Sequence, residues 1–216
     1  AMERMVRELR RAVPNSVQVS PSGQEVTFLR TFDAGRYVAV GASDSKLNMD
    51  LKKNEPFTAY GLSGLDGDDH QLVVYPLKAD EVLASLAASA SGPRAKCRPI
   101  GAYQSGTAYE LRDGGQFSYH SPSPRRRIYA VEHAVSFCYE PDSEALHMAV
   151  KRINDGVPKD FCGTGSRLLA KPIQATEFTF DAAELTRNAI VRIELTAGPG
   201  ETPVTFHHEV HIRNVP

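Results

Sequence analysis

The sequence predicts an α+β fold, with one N-terminal helix followed by a large antiparallel β-sheet region with insertions. Apolar residues recur at helical spacing over the first thirteen positions, and most of the remaining chain alternates apolar and polar residues in short runs. Turn sequences such as PSGQ, RDGG and DSE separate these runs, and strands joined by short turns pair antiparallel. We therefore expect a single domain over residues 1–216, with the helix in 1–13 and the β-rich part in 14–216.

Composition limits the function classes open to the chain. Its 216 residues, 41% of them hydrophobic, are enough to bury a substantial core. The 25 basic and 26 acidic residues give a net charge of -1, which argues against a nonspecific nucleic-acid-binding protein. No run of eighteen apolar residues occurs, so these residues contain no predicted membrane span.

The helix is predicted from a stripe of apolar residues with charged residues on the other faces. Pro14 ends the pattern, because proline disfavours helix at the residue before it. No capping residue precedes the pattern, so we expect the helix to continue into a segment upstream of residue 1. The residues expected to pack against the sheet are Met5, Val6, Leu9 and Val13.

The β-rich part is predicted to contain about a dozen strands. HQLVVYPL (70–77) is apolar on both faces, which is typical of a central strand. A helix is predicted over 79–90, and DAG (33–35) and SGPRAKCRP (91–99) are predicted to be a turn and a loop. The strands are expected over 16–20, 25–32, 36–41, 57–61, 70–77, 107–111, 128–140, 144–153, 168–180, 188–197 and 202–215.

The sequence HHEVH near the C-terminus has two interpretations. In a strand, His207, Glu209 and His211 share one face, where histidines can bind zinc with a further ligand. HExxH, the helical zinc-protease motif, is absent, because this sequence has HExH. We therefore favour the polar face of a closing strand, whose other face carries Val204, Phe206, His208, Val210 and Ile212. A metal-binding module or hydrolase that uses His207, Glu209 and His211 is the alternative.

The remaining motifs give little support for enzyme chemistry and leave the function open. GxSxG, the phosphate-binding loop and the dinucleotide-binding glycine pattern are all absent. The three cysteines, Cys97, Cys138 and Cys162, contain no CxxC pair, which excludes a zinc-finger-type site. From the residues alone, one disulfide with a spare thiol and three free thiols both remain possible.

Several stretches together resemble one protein family. MVRELRRAVPNSVQVS is similar to the end of a pilin spine helix that runs into the first strand. HQLVVYPL, SPSPRRRIYAVEHAVSFCY, RNAIVRIELT and VTFHHEVHIRNVP resemble, in this order, minor pilins of the mannose-sensitive haemagglutinin (MSHA) type IV pilus, the MshO type. The J-type minor pseudopilins of type II secretion have a related architecture and are the alternative within this class.

This resemblance implies a pilin-like fold and a role in fibre assembly, so we expect a structural subunit that is not an enzyme and needs no cofactor. Such proteins carry a leader, a prepilin peptidase site whose product is methylated, and about twenty apolar residues that span the inner membrane. The implied partners are other minor and major pilins, contacted through the N-terminal helix in an initiation or tip complex, with surface or receptor contact at the tip. The subunit would move from the inner membrane and periplasm to the extracellular pilus. The resemblance also implies a Cys138–Cys162 disulfide, with Cys97 left free.

Overall fold

A computed structural model describes residues 1–37, 50–51, 57–65, 70–74, 76, 79, 97–105, 108–111, 117–118, 123, 125–153, 163, 165–182 and 188–212. A short helix opens the chain, and nearly all other regular structure in these residues is strand. The elements are α1 (Met2–Leu9), β1 (Gln18–Val19), β2 (Glu25–Tyr37), β3 (Asp50–Leu51), β4 (Phe57–Tyr60), β5 (Gln71–Val73), β6 (Cys97–Ser105), β7 (Ala108–Leu111), β8 (Phe117–Ser118), β9 (Arg127–Glu140), a 3-10 turn (Pro141–Ser143), β10 (Ala145–Arg152), β11 (Arg167–Ala170), β12 (Ile173–Asp181), β13 (Ala189–Ala197) and β14 (Val204–Ile212).

In the described residues, the strands form three sheets in which the pairing is mostly antiparallel. The largest has the order β1-β2-β4-β7-β6-β5-β9-β10-β11, with a further pairing between β2 and β9. A second sheet has the order β12-β13-β14, and β3 pairs with β8 in a third. The architecture is α+β, as the sequence predicts at this coarse level.

The chain divides into two compact units. The first contains Ala1–Arg30, His133–Lys151 and Pro158–Val215, and the second contains Thr31–Glu132, Arg152–Val157 and Pro216. Strands β2 and β9 each contribute residues to both units.

The first unit has one continuous hydrophobic core around α1. The helix contributes Met5, Val6 and Leu9, while β2, β9 and β10 supply side chains including Phe28 and Phe137. The three-stranded sheet supplies the rest of the core through Ile173, Phe178, Ala189, Val191, Ile193, Leu195, Val210 and Ile212. The four residues from β13 alternate along it, and the strand predicted over 188–197 is confirmed.

In the second unit, β5 lies between two strands of the large sheet. Leu72 pairs with Arg98 on one side and with Ala130 on the other, and Leu72, Val73 and Val74 are all buried. The prediction of a central strand in HQLVVYPL is therefore confirmed, although β5 is shorter than predicted. The helix predicted over 79–90 lies outside the described residues, apart from Ala79, which is helical.

The predicted turn at 33–35 is wrong, because β2 runs through it as one strand. Its turn-forming residues serve other contacts. The carboxylate of Asp33 accepts hydrogen bonds from the backbone N–H of Ser63 at 2.8 Å and from its hydroxyl at 3.1 Å. At Gly35 the backbone passes so close to β4 that a Cβ would collide with the carbonyl oxygen of Tyr60. Glycine is required here by this close approach rather than by a turn.

Two other boundaries differ from the prediction. The predicted loop over 91–99 gives way to β6 at Cys97, and Pro99 lies opposite Gln71 within that strand. The single strand predicted over 168–180 is two strands, because the chain leaves the large sheet at Lys171 and enters the three-stranded sheet after Pro172. Proline cannot donate to a ladder, which suits a position between two sheets.

We predict that Gly35→Ala destabilises the protein. Alanine usually stabilises a strand relative to glycine, but here its Cβ overlaps the Tyr60 carbonyl and lies 3.0 Å from Leu62 Cγ. The expected loss is about 1–3 kcal/mol in urea unfolding. Gly200→Ala is the matched control, because nothing lies within 4 Å of its Cβ position. Equal stability of the two variants would contradict the close approach of β2 to β4.

Candidate functional site

The apolar stripe of α1 is fully packed against the sheets of the first unit. Met5, Leu9 and Val13 have no exposed side-chain surface, and Val6 is 8% exposed. Met5, Val6 and Leu9 lie within α1, and their spacing brings them to one side of the helix. The four residues singled out in the sequence therefore form the contact between the N-terminal segment and the β-rich part.

The helix ends at Leu9, four residues before the predicted end, because the following residues join β2. Ala12 forms an isolated antiparallel bridge with Arg30, and the N–H of Val13 donates to the carbonyl of Leu29 at 2.8 Å. The hydroxyl of Ser16 extends this junction, since it donates to the Val13 carbonyl and accepts from the Leu29 N–H. Val13 is therefore buried as part of a sheet junction, not as part of the helix.

Glu8 is a buried carboxylate that the helical pattern alone placed on a polar face. It is 6% exposed, and its Oε2 lies 3.5 Å from Nη1 of Arg30 in β2. The other terminal nitrogen of Arg30 lies 3.0 Å from Nδ1 of His133 in β9. Position 8 is three residues after Met5 and therefore flanks the apolar stripe, which is the signal that could have identified it. The pair ties the helix to β2.

The opposite side of α1 borders an open groove against β14, which we call the α1–β14 groove. Its volume is about 600 Å3. Met2 and Val6 supply its apolar part, Glu3, Arg7, Arg10 and Arg11 its charged part, and His208 is its lining residue from β14. His208 is exposed there, so it does not occupy the core.

The prediction of an apolar inward face along β14, with His208 as its exception, is correct for only part of the strand. Val210 and Ile212 are buried, but Val204 is 54% exposed and Phe206 is 48% exposed. The alternation is right, since Val210 and Ile212 share a side with these two residues. The packing partners do not extend along the whole strand, which is why its first half stays exposed.

The candidate metal residues lie on the exposed outer face of the three-stranded sheet. Glu209 accepts a hydrogen bond from Arg192 at 2.8 Å, and His207 Nδ1 lies 3.2 Å from the carboxylate of Glu194. The pKa of Arg192 is raised, first by the hydrogen bond to Glu209 and then by the one to Asp181. His211 is exposed opposite Ile190. Within the part of the chain that the structure describes, no group of three or more His, Cys, Asp or Glu residues could hold a metal.

A second polar cluster superficially resembles a hydrolytic triad. His147 Nδ1 lies 3.3 Å from the hydroxyl of Ser166, and His147 Nε2 lies 3.7 Å from the Glu140 carboxylate. A triad needs its acid within hydrogen-bonding distance of the histidine. Here that distance is too long, Glu140 is 60% exposed, and its Oε2 accepts a hydrogen bond from Ser143 at 2.5 Å. This geometry does not support nucleophilic catalysis.

Cys138 is disulfide-bonded. It is 4% exposed near the end of β9, where the hydroxyl of Ser136 lies 3.3 Å from its sulfur. The predicted partner, Cys162, lies outside the described residues, and of Cys97 only the backbone position in β6 is described.

Comparison with known proteins gives no relative for this chain. No family model, no curated protein and no solved structure matches it. In the described part of the chain, no helix has the length and apolar character needed to cross a membrane.

We predict that Leu9→Asp strongly destabilises the protein. The substitution places an unpaired carboxylate at a position with no exposed surface, so the expected loss exceeds about 3 kcal/mol in chemical unfolding. Arg7→Asp is the control on the same helix, because Arg7 is exposed. If Leu9→Asp unfolds at the same urea concentration as the wild-type protein, the packing of α1 against the sheets is wrong.

Proposed function

We propose that this chain is a minor pilin, a structural and assembly subunit of an MSHA-like type IV pilus. The observation that carries the proposal is the packing of the first helix. α1 is the first element of the chain, one side of it is buried in the core, and its other side is exposed. An amphipathic helix held in this way can support a β-rich domain and still offer a surface to neighbouring helices.

Assembly is the mechanism that follows from this arrangement. The helix would continue into an upstream apolar segment, which is stored in the inner membrane and later packs with the corresponding segments of other pilins. Because the buried stripe holds α1 in the core, the β-rich part would keep a fixed position relative to that segment. Other minor and major pilins are the proposed partners, in an initiation or tip complex, and no catalytic residue is required.

We further propose that Cys138 pairs with Cys162 in the periplasm, as the family resemblance implies. Cys138 is already shown to be disulfide-bonded, so the open question is its partner. Cys162 and Cys97 are the two candidate partners, and the resemblance favours Cys162.

Peptide mapping under nonreducing conditions tests the disulfide. We expect a Cys138–Cys162 cross-linked peptide and an alkylatable Cys97. Reduction should lower stability by roughly 3 kcal/mol, because the bond closes a loop of about 25 residues. Cys97→Ser is the control and should leave the cross-link in place. A Cys97–Cys138 peptide would contradict the proposed pairing without affecting the position of α1.

Deletion of the gene in its source bacterium tests the pilus role. We expect fewer surface pili by electron microscopy, with recovery when the wild-type gene is returned. Periplasmic expression of residues 1–216 without the proposed upstream segment should not restore pili, because the spine would be missing. Unchanged piliation would refute a pilus role, and a loss of protein secretion instead would identify a type II pseudopilin.

A further inference from the structure

Strand β14 is a long, regular edge of the three-stranded sheet. All nine of its residues pair with β13 without a shift in register. Among the described residues, no strand pairs with its other side. Edge strands of natural proteins are commonly protected by charged side chains, proline or a bulge. Val204–Ile212 contains neither proline nor a bulge, and its one carboxylate, Glu209, accepts a hydrogen bond from Arg192 within the sheet. Such an edge can accept an additional strand.

Two exposed apolar side chains lie at the start of this edge. Val204 and Phe206 point to the same side of the sheet as the buried Val210 and Ile212. They extend the apolar surface of the core beyond its covered part. A strand added at β14 would cover part of this surface. Burial of this apolar surface would add to the affinity that the backbone hydrogen bonds supply.

The α1–β14 groove determines the chemistry that such a strand must have. A strand paired with β14 would lie about 4.8 Å from it, and every second side chain would point to the side where α1 lies. On that side it would meet Met2 and Val6 together with the exposed Arg7 and Arg10, against the carboxylate of Glu3. Apolar and acidic side chains at these alternate positions complement the groove.

We propose that the edge of β14 binds an extended, acidic strand of a partner protein by strand addition. Its backbone pairs with Val204–Ile212, and its inward carboxylates face Arg7 and Arg10, both of which are exposed. Backbone pairing supplies affinity, and the arginines select for acidic sequences. This proposal does not depend on the pilus role, because it rests only on the edge, the groove and their charges.

The charges also decide between a partner protein and a second copy of this chain. Antiparallel pairing of two copies about His208 would align His207 with Glu209 and Phe206 with Val210, which is favourable. However, a two-fold axis there would also bring Arg7 and Arg10 of both copies to the same interface. Like charges at an interface disfavour that association. An acidic partner removes this repulsion and replaces it with attraction.

A designed peptide tests the proposal with the 216-residue chain. The probe is a fluorescently labelled ten-residue peptide with threonine at every second position and alternating glutamate and valine between them. Its matched control carries lysine in place of glutamate. We expect the acidic peptide to bind at least about tenfold more tightly by fluorescence anisotropy, and less tightly as salt is raised. Hydrogen exchange should slow at the unpaired amides of β14.

Charge-reversed variants locate the binding site. The double variant Arg7→Glu/Arg10→Glu should weaken binding of the acidic peptide by about tenfold or more. Arg167→Glu changes an exposed arginine of β11 and should leave binding unchanged. If the double variant does not fold, His208→Glu places the repulsive charge in the groove from the β14 side and serves the same purpose.

Three results would overturn the proposal. One is equal binding of the acidic and lysine peptides, or no binding of either. Another is unchanged affinity in the folded charge-reversed variants. The third is a concentration-dependent dimer of the chain in analytical ultracentrifugation that protects the β14 amides without any peptide, which would assign the edge to a second copy.

Discussion

Burial of one side of α1 is the interaction on which the first unit depends. A helix of eight residues is marginal by itself in water, because nucleation costs more than so few hydrogen bonds return. Each fully buried Leu, Met or Val contributes about 1.5–3 kcal/mol, so the apolar stripe supplies what the helix lacks. The dependence is mutual, since the same side chains fill the space among β2, β9, β13 and β14. Helix and sheets therefore stabilise each other.

The ion pair between Glu8 and Arg30 adds orientation to this packing. Buried ion pairs contribute little net stability, because desolvation offsets most of the attraction. Their value lies in what happens when one partner is misplaced, since a lone buried carboxylate is costly. A rotation of α1 that moved Glu8 away from Arg30 would leave that carboxylate unpaired. The apolar stripe thus holds the helix in the core, and this pair restricts its rotation about its axis.

The sequence predicts what depends on local periodicity and misses what depends on distant contacts. The spacing of Met5, Val6 and Leu9 identifies the buried side of the helix, and alternation identifies the faces of β13. The end of the helix at Leu9 is not predictable in this way, because it results from pairing with residues near Arg30. Asp33 and Gly35 are residue types typical of turns, but in the structure both lie inside a strand. There, Asp33 accepts hydrogen bonds from Ser63, and Gly35 allows the backbone to pass close to Tyr60.

Burial along β14 illustrates the same limit at the candidate site. Alternation identifies which side chains share a side, yet Phe206 is exposed and Val210 is buried on that side. The difference depends on how far the core extends under the sheet. The periodicity of apolar residues carries no information about that extent. The same limit applies to the histidines of HHEVH, because the sequence shows only that they share a strand. Only the structure shows Glu209 held by Arg192.

The short turn between β1 and β2 has a consequence for protein engineering. The sequence PSGQ has the composition of a surface turn, where an epitope tag or a fused domain is usually placed. Yet the carbonyl of Gly23 accepts a hydrogen bond from the N–H of Phe178 in β12. The carbonyl of Gln24 accepts a hydrogen bond from the N–H of Tyr139 in β9. The turn therefore links strands of two different sheets. An inserted sequence here would separate them, whereas the turn at 199–202 joins only adjacent strands of one sheet.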